Sequence, residues 1–231
     1  MVVHPACENW TGTLVNALLY RYSNLPTEPE NEIRPGLVHR IDKGTSGLLV
    51  IARTEQSKLN LSKQFILHTI ERKYIALVWG ILQNEEGTIN IPLKRSLKDR
   101  RIVQADTAST PQSKRAITHY KVLKRFQYVT LITCRLETGR THQIRAHMKY
   151  LQHPLFGDTR YGGNQIVQGP RFSKYKSFVN NCFKILPHQA LHAYTLTFTH
   201  PTTKKKMHFE APIPTAFETV IHKWERFVNA N

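Results

Sequence analysis

Asp42 is the one carboxylate in the run HRIDKGTSG, residues 39–47, and basic side chains surround it: His39 and Arg40 before it, Lys43 after it. A carboxylate flanked in this way works as an anion, either as a nucleophile or as an electrostatic stabiliser, and is poorly suited to donate a proton. Thr45 and Ser46 add hydroxyls, and the run leads into LLVIA, residues 48–52, a continuous apolar stretch that reads as a buried strand able to hold the loop rigidly. The same residues would also make a plain turn in which Asp42, Gly44 and Thr45 satisfy backbone groups.

A second run, LETGRTHQIRAH at residues 136–147, puts Arg140 and His142 at the start of a helix expected over 141–151 with Thr141 as its cap, and Arg145 one turn further in. Free N–H groups beside an arginine make a phosphate site, while Arg145 could instead face a buried carboxylate. An exposed amphipathic helix has the same spacing. In RKYIALVWG, residues 72–80, strand alternation puts Lys73, Ile75 and Leu77 on one face and Tyr74, Ala76 and Val78 on the other. Tyr74 is then either a core side chain or a ring facing a site, where it could stack on an unpaired base and move a proton through its hydroxyl.

Metal chemistry finds little support. His142 and His147 are five apart and point to different helix faces; His188 and His192 are four apart but run into the strand-like LHAYTLTFTHP, with no carboxylate or thiolate beside them.

The elements that must position these residues are legible in outline. A helix over 12–22 is followed by a Pro- and Glu-bearing connector at 23–35, and a helix capped by Thr54 follows the LLVIA strand. From Lys73 onward, KYIALVWG, TINIPL, RIVQA, AITHYKVL and YVTLITCRLE have β character, and two more strands at 191–199 and 206–211 precede a closing helix at 215–228. Strands that outnumber helices without regular βαβ alternation imply an α+β fold with a mixed, mainly antiparallel central sheet and flanking helices. Residues 164–187, bearing Gly169-Pro170 with basic and aromatic side chains, read as a surface excursion that either touches RNA or packs as an ordinary loop.

The chain has 231 residues with 40% hydrophobic content, and is expected to form one domain over 1–231. Its 33 Lys and Arg against 16 Asp and Glu leave a formal charge of +17, spread in short clusters such as 98–101, 121–125 and 204–206. That pattern implies a folded basic surface for a polyanion. Three cysteines at unrelated spacings, Cys7, Cys134 and Cys182, fit a reducing compartment. No apolar run reaches the roughly 18 residues of a membrane span, and the start lacks signal-peptide features, so a cytoplasmic protein is expected.

Taken in order, HRIDKGTSG, RKYIALVWG, LETGRTHQIRAHMKYLQHPLFGDTRYGG and HQALHAYTLTFTHP resemble the RluA/RluD family of pseudouridine synthases across residues 1–214. The resemblance implies the pseudouridine synthase fold, with a long RNA-binding cleft, isomerisation of uridine to pseudouridine, and no metal or organic cofactor. It makes Asp42 the essential aspartate, Tyr74 the active-site tyrosine and Arg145 the basic residue paired with the catalytic carboxylate. His39, Arg40, Arg140 and His142 become the RNA contacts, with Arg40 filling the space left by a flipped nucleotide. VVHP at residues 2–5 and GTLVNALL at 12–19 are more similar to the RluD-type branch, which implies ribosomal RNA of the large subunit as substrate, with transfer RNA as the alternative and no obligate protein partner. A non-catalytic RNA-binding or ribosome-assembly protein of the same fold is the competing expectation. Family members usually carry a further N-terminal segment, and many an S4 domain, so this chain is expected to be shortened at its start and to lack S4. Gly44 replaces a more usual acidic residue, a change a turn should tolerate.

Overall fold

The computed structural model describes residues 1–5, 9–27 and 34–229. In chain order its elements are α1 (Leu14–Arg21), β1 (Ser46–Gly47), α2 (Glu55–Ile66), β2 (Glu71–Trp79), β3 (Glu86–Asn90), β4 (Leu93–Arg95), β5 (Val103–Ala105), β6 (Ile117–Phe126), β7 (Val129–Leu136), α3 (Gln143–Tyr150), α4 (Ser173–Ile185), β8 (Leu191–Thr199), β9 (Lys206–Glu210) and α5 (Thr215–Asn229). Cys7 and part of the 23–35 connector lie outside the described residues.

Local chemistry sets the helix starts. Thr13 and Asn16 cap α1 reciprocally, the Asn16 N–H donating to Thr13 Oγ1 at 3.2 Å and the Thr13 N–H to Asn16 Oδ1 at 2.9 Å. Thr54 caps α2 as expected, accepting from the Ser57 N–H at 3.2 Å.

The central sheet is mixed and mainly antiparallel. β2 lies between β7 and β8, the sheet continues from β7 through β6 to β3, and β8 carries β9 and the short β1 along its other edge. β1 is parallel to β8, and the other pairings in this sheet are antiparallel. β4 and β5 form a separate two-stranded ribbon.

Alternation along β2 divides the core in two. Tyr74, Ala76 and Val78 face a layer completed by Ile132, Cys134, Leu155 and, from α3, Ile144 and Met148. Ile75, Leu77 and Trp79 face the layer built by α4 and α5, where Phe217, Val220, Ile221 and Trp224 form one buried helical stripe. Burying each such large apolar side chain contributes about 1.5 to 3 kcal/mol.

Three expectations are corrected. Leu48–Ala52 is not a regular strand: the paired segment is Ser46–Gly47 just before it, and only Ile51 makes an isolated bridge, to Leu37. Leu48 and Val50 pack instead against the small apolar cluster of Leu61, Ile70 and Leu196. Thr141 does not cap α3; His142 occupies the cap position with φ 53° and no capping hydrogen bond from its side chain. Residues 164–187 are not an excursion near the cleft. They contain α4, whose Tyr175, Val179 and Cys182 are buried against α5 on the far side of the sheet, because their helical spacing gives that segment an apolar face to bury.

Candidate active site

Asp42 sits in the loop that leads into β1, and that loop is fastened to the start of β8. Gln189 Nε2 donates to the Lys43 carbonyl at 2.8 Å and to Thr45 Oγ1 at 3.0 Å, the Thr45 N–H closes a turn on the Asp42 carbonyl at 3.0 Å, and the Leu48 N–H donates to the Ala193 carbonyl at 2.9 Å. Gly47 makes this docking possible: its φ is +105°, and a Cβ there would lie 2.2 Å from the Ala193 carbonyl oxygen. Gly44 has φ +81°, so the residue that departs from the family pattern suits the turn it occupies.

Arg145 comes to Asp42 from α3. Its Nη1 donates to Asp42 Oδ2 at 3.1 Å, while Nε and Nη2 form a fork on Asp158, at 2.7 Å to Oδ2 and 2.8 Å to Oδ1. Asp158 is fully buried, and its Oδ1 also accepts from the backbone N–H groups of Arg160 and Tyr161 at 3.0 and 3.1 Å. Burial alone would lower the pKa of Arg145; the hydrogen bonds and charges of Asp158 and Asp42 more than reverse this and raise it. Arg145 is thus a permanent cation, aligned by Asp158 and pointed at Asp42. The Tyr161 ring lies 5.0 Å beneath its guanidinium, and the Tyr161 hydroxyl donates to the Val103 carbonyl at 2.9 Å.

Tyr74 leaves β2 on the face opposite Ile75 and Leu77, as the alternation predicts, and that face opens into the same cleft, where the side chain is buried. Burial raises its pKa; Arg72 opposes the shift and the Asp42 charge adds to it, so the hydroxyl stays protonated. His142 reaches within 3.9 Å of Asp42 Oδ1 through Nε2, and its Nδ1 pairs with the Tyr161 hydroxyl at 3.1 Å. Its left-handed backbone costs on the order of 1 to 3 kcal/mol. Burial, against the pull of Asp42, lowers its pKa to about 4, so it stands beside the carboxylate as a neutral ring.

His39 lines the cleft as a neutral ring as well, its pKa lowered to about 3 by burial and by Arg72. Its Nε2 accepts from the Val50 N–H at 3.0 Å, and the ring stacks on Phe65 with centroids 4.5 Å apart. Arg40 is exposed on the cleft wall, and Arg140, also exposed, donates through Nε to the Arg115 carbonyl at 3.0 Å. His192, weighed above as a metal ligand, pairs with Ser46 Oγ at 2.8 Å and the Ala211 carbonyl at 3.1 Å.

The cleft has a volume of about 500 Å³, large enough for one nucleotide-sized ligand. Asp42, Tyr74, Arg145, Arg40, His39, Arg140 and His142, picked from separate stretches of sequence, all line it. Asp158, Gln189, Arg72 and Tyr161 escaped the sequence reading. The first had a signal, since Arg145 needed a carboxylate if it was to be buried; Gln189 and Arg72 lay inside quoted motifs without distinctive chemistry of their own.

The fold is that of two solved human proteins, RNA Pseudouridylate Synthase Domain Containing 1 and Domain Containing 4. The first matches with a TM-score of 0.67 and 22% identity over 95% of this chain and 86% of that one. The second gives 0.63 and 22% over 83% and 76%. The class is thus a pseudouridylate synthase fold with the Asp42 carboxylate lining its cleft. The family model for RNA pseudouridylate synthase matches residues 1–150, and the chain belongs to that family. It is 42% identical over 232 residues to an uncharacterised RNA pseudouridine synthase of Chlorobaculum parvum, covering all of this chain and 71% of the relative. It is 44% identical over 214 residues to the uncharacterised RNA pseudouridine synthase YlyB of Bacillus subtilis, covering 93% of this chain and 63% of the relative. It is 42% identical over 219 residues to the ribosomal large subunit pseudouridine synthase D of Zymomonas mobilis, covering 93% and 64%. The chain therefore spans between 63% and 71% of the length of these relatives. No helix among the described residues is long and apolar enough to cross a membrane.

Proposed function

We propose that the chain is an RNA pseudouridine synthase that isomerises uridine in large-subunit ribosomal RNA, acting in the cytoplasm as a single catalytic domain over residues 1–231. The observation that carries this reading is the Asp42 carboxylate held 3.1 Å from the Arg145 guanidinium in a cleft that it shares with the Tyr74 ring. The ribosomal assignment draws on the name of the Zymomonas mobilis relative.

The target base must leave its stack to reach Asp42, and Arg40 on the cleft wall takes up the space it vacates. Asp42 acts as an anion, attacking C1′ of the ribose or removing the C2′ proton, while the N1–C1′ bond breaks and its electron pair leaves with uracil. Arg145, held by Asp158, keeps the carboxylate oriented. The ring turns and C5 bonds to C1′, displacing the Asp42 oxygen on the first route and with C2′ taking its proton back from Asp42 on the second; the C5 proton then leaves and N1 gains one. Tyr74 is the stacking platform for the ring, and its hydroxyl passes these protons rather than acting as a preformed phenolate, consistent with its raised pKa.

RNA follows the cleft outward. A basic groove lined by Lys94, Arg95, Arg100 and Lys114 shares Gly139 and Arg140 with it, so phosphates flanking the target meet cations on leaving the site. His39 and His142 contribute ring surface to RNA rather than charge.

The test is to incubate wild-type and Asp42→Asn protein with unmodified ribosomal and transfer RNA transcripts and to map pseudouridine by carbodiimide labelling and primer extension. Wild-type-only modification at defined ribosomal positions is expected. Modification of transfer RNA alone would move the substrate, and tight binding without modification would favour the non-catalytic RNA-binding reading.

A further inference from the structure

Arg72 is a buried cation with no carboxylate paired to it among the described residues. It is 8% exposed, its Nε has no hydrogen-bond partner among the described residues, and it lines the same cleft as Asp42 and Tyr74. It lies two residues before Tyr74 on β2, so both side chains leave the strand on the cleft side. The extra residue at the irregularity in the β2–β8 pairing is Tyr194 on β8, so the alternation along β2 is kept, as its unbroken register with β7 shows.

The surroundings of the guanidinium hold it in place without neutralising it. Its Cζ lies 5.4 Å over the Phe65 ring, which is itself stacked on His39. On another side the Gly139 backbone leaves room for it: a Cβ on that glycine would lie 2.7 Å from Arg72 Nη1. Gly139 has no positive φ, so what its missing Cβ provides is room for the guanidinium. An arginine buried with an uncompensated charge is costly, and a fold keeps one where a ligand supplies the counter-charge.

We propose that Arg72 is the anchor for the phosphate of the nucleotide whose base enters the cleft, a positioning role that rests on the reading of the cleft as a uridine site. The full negative charges of a uridine nucleotide are on its phosphates; uracil is neutral until its glycosidic bond breaks. A guanidinium also matches a phosphate with two parallel N–H donors. Arg145 has all three of its nitrogens engaged by Asp158 and Asp42, which leaves Arg72 as the buried guanidinium with capacity for an incoming anion.

The test measures binding of uridine 5′-monophosphate and of uridine to wild-type, Arg72→Gln and Arg72→Lys protein by titration calorimetry, with urea unfolding of each variant alongside. Wild type is expected to prefer the monophosphate by about tenfold or more. Arg72→Gln should lose that preference without a lower urea midpoint, and Arg72→Lys should recover part of it. A wild type with no preference, a glutamine variant that keeps it, or a glutamine variant with a lower midpoint each overturns the proposal. If Arg72→Gln lowers kcat while the phosphate preference is unchanged, the cation serves charge on the departing uracil and the phosphate assignment fails. The outcome is independent of the Asp42→Asn experiment, because nucleotide binding is read without turnover.

Discussion

Arg145 and Asp158 form a two-bond fork, Nε to Oδ2 at 2.7 Å and Nη2 to Oδ1 at 2.8 Å, that leaves only Nη1 of the guanidinium for Asp42. The pair is almost wholly buried, with side-chain exposures of 5% and 0%. Asp158 thereby converts a flexible arginine into a fixed donor, and the position of the Asp42 carboxylate depends on a residue that does not itself touch it.

Replacing Asp158 by Asn keeps the shape and removes the charge that aligns Arg145. We expect kcat to fall by about 100-fold with KM changed little, because small misplacements of a reacting group carry penalties of that order. Loss of the buried pair should also cost roughly 3 to 5 kcal/mol of stability. Steady-state kinetics on ribosomal RNA together with urea unfolding measure both; a fully active variant would remove Asp158 from the catalytic apparatus.

Tyr74→Phe separates ring from hydroxyl. If the hydroxyl moves protons, kcat should drop by about 10² to 10⁴ while KM holds, and Tyr74→Ala should raise KM as well. Wild-type turnover in the phenylalanine variant would leave the tyrosine as a stacking surface alone.

His142 links stability to pH. Its folded-state pKa of about 4 lies below the ordinary value of 6.5, so the unfolded chain binds more protons between those limits and stability is lost as pH falls through that window. The loss should reach about 3 kcal/mol once pH is below both values. His39, lowered to about 3, adds a loss of the same sign that extends further into acid. Asn tolerates the left-handed backbone at position 142, so urea midpoints for wild type and His142→Asn at pH 7 and pH 4.5 isolate the effect. Identical pH slopes for the two proteins would refute it.

Gly47→Ala should destabilise the protein by more than about 3 kcal/mol, through the strained positive φ and displacement of β1 from β8. Since Asp42 is positioned through that docking, residual activity of the folded fraction should fall too. Thermal unfolding with an activity assay on the folded protein would show it; an alanine variant of wild-type midpoint would mean that the β1–β8 contact is dispensable.

Much of the cleft could be read from local chemistry. Asp42 stood out as a lone acid among bases, the alternation in RKYIALVWG placed Tyr74 opposite Ile75 and Leu77, and LETGRTHQIRAH put Arg145 on a helix, though in its first turn rather than one turn in. Each inference concerns residues a few positions apart, where the periods of helix and strand decide which side chains share a face. The same reasoning failed where a distant partner decides the outcome. LLVIA has the composition of a strand, but only the two residues before it meet β8. Thr141 has the chemistry of a cap, yet Gln143 Oε1 accepts from the Arg140 N–H at 3.0 Å and Thr138 Oγ1 at 2.8 Å, and the helix begins after His142.

The amino-acid order by itself determined most of the elements, the face of β2 on which Tyr74 emerges, and the positive charge that draws a polyanion. Tertiary structure decided which of those side chains meet. Asp42 and Arg145 are 103 positions apart and Arg145 and Asp158 are 13 apart, and no periodicity connects either pair. Burial then settled what each group is: two histidines that would be half-charged near neutrality in water become neutral rings, while Arg145 stays a cation because two carboxylates surround it. Charge states of this kind depend on desolvation and on neighbours brought in by the fold, so they exist only once the chain has closed around the cleft.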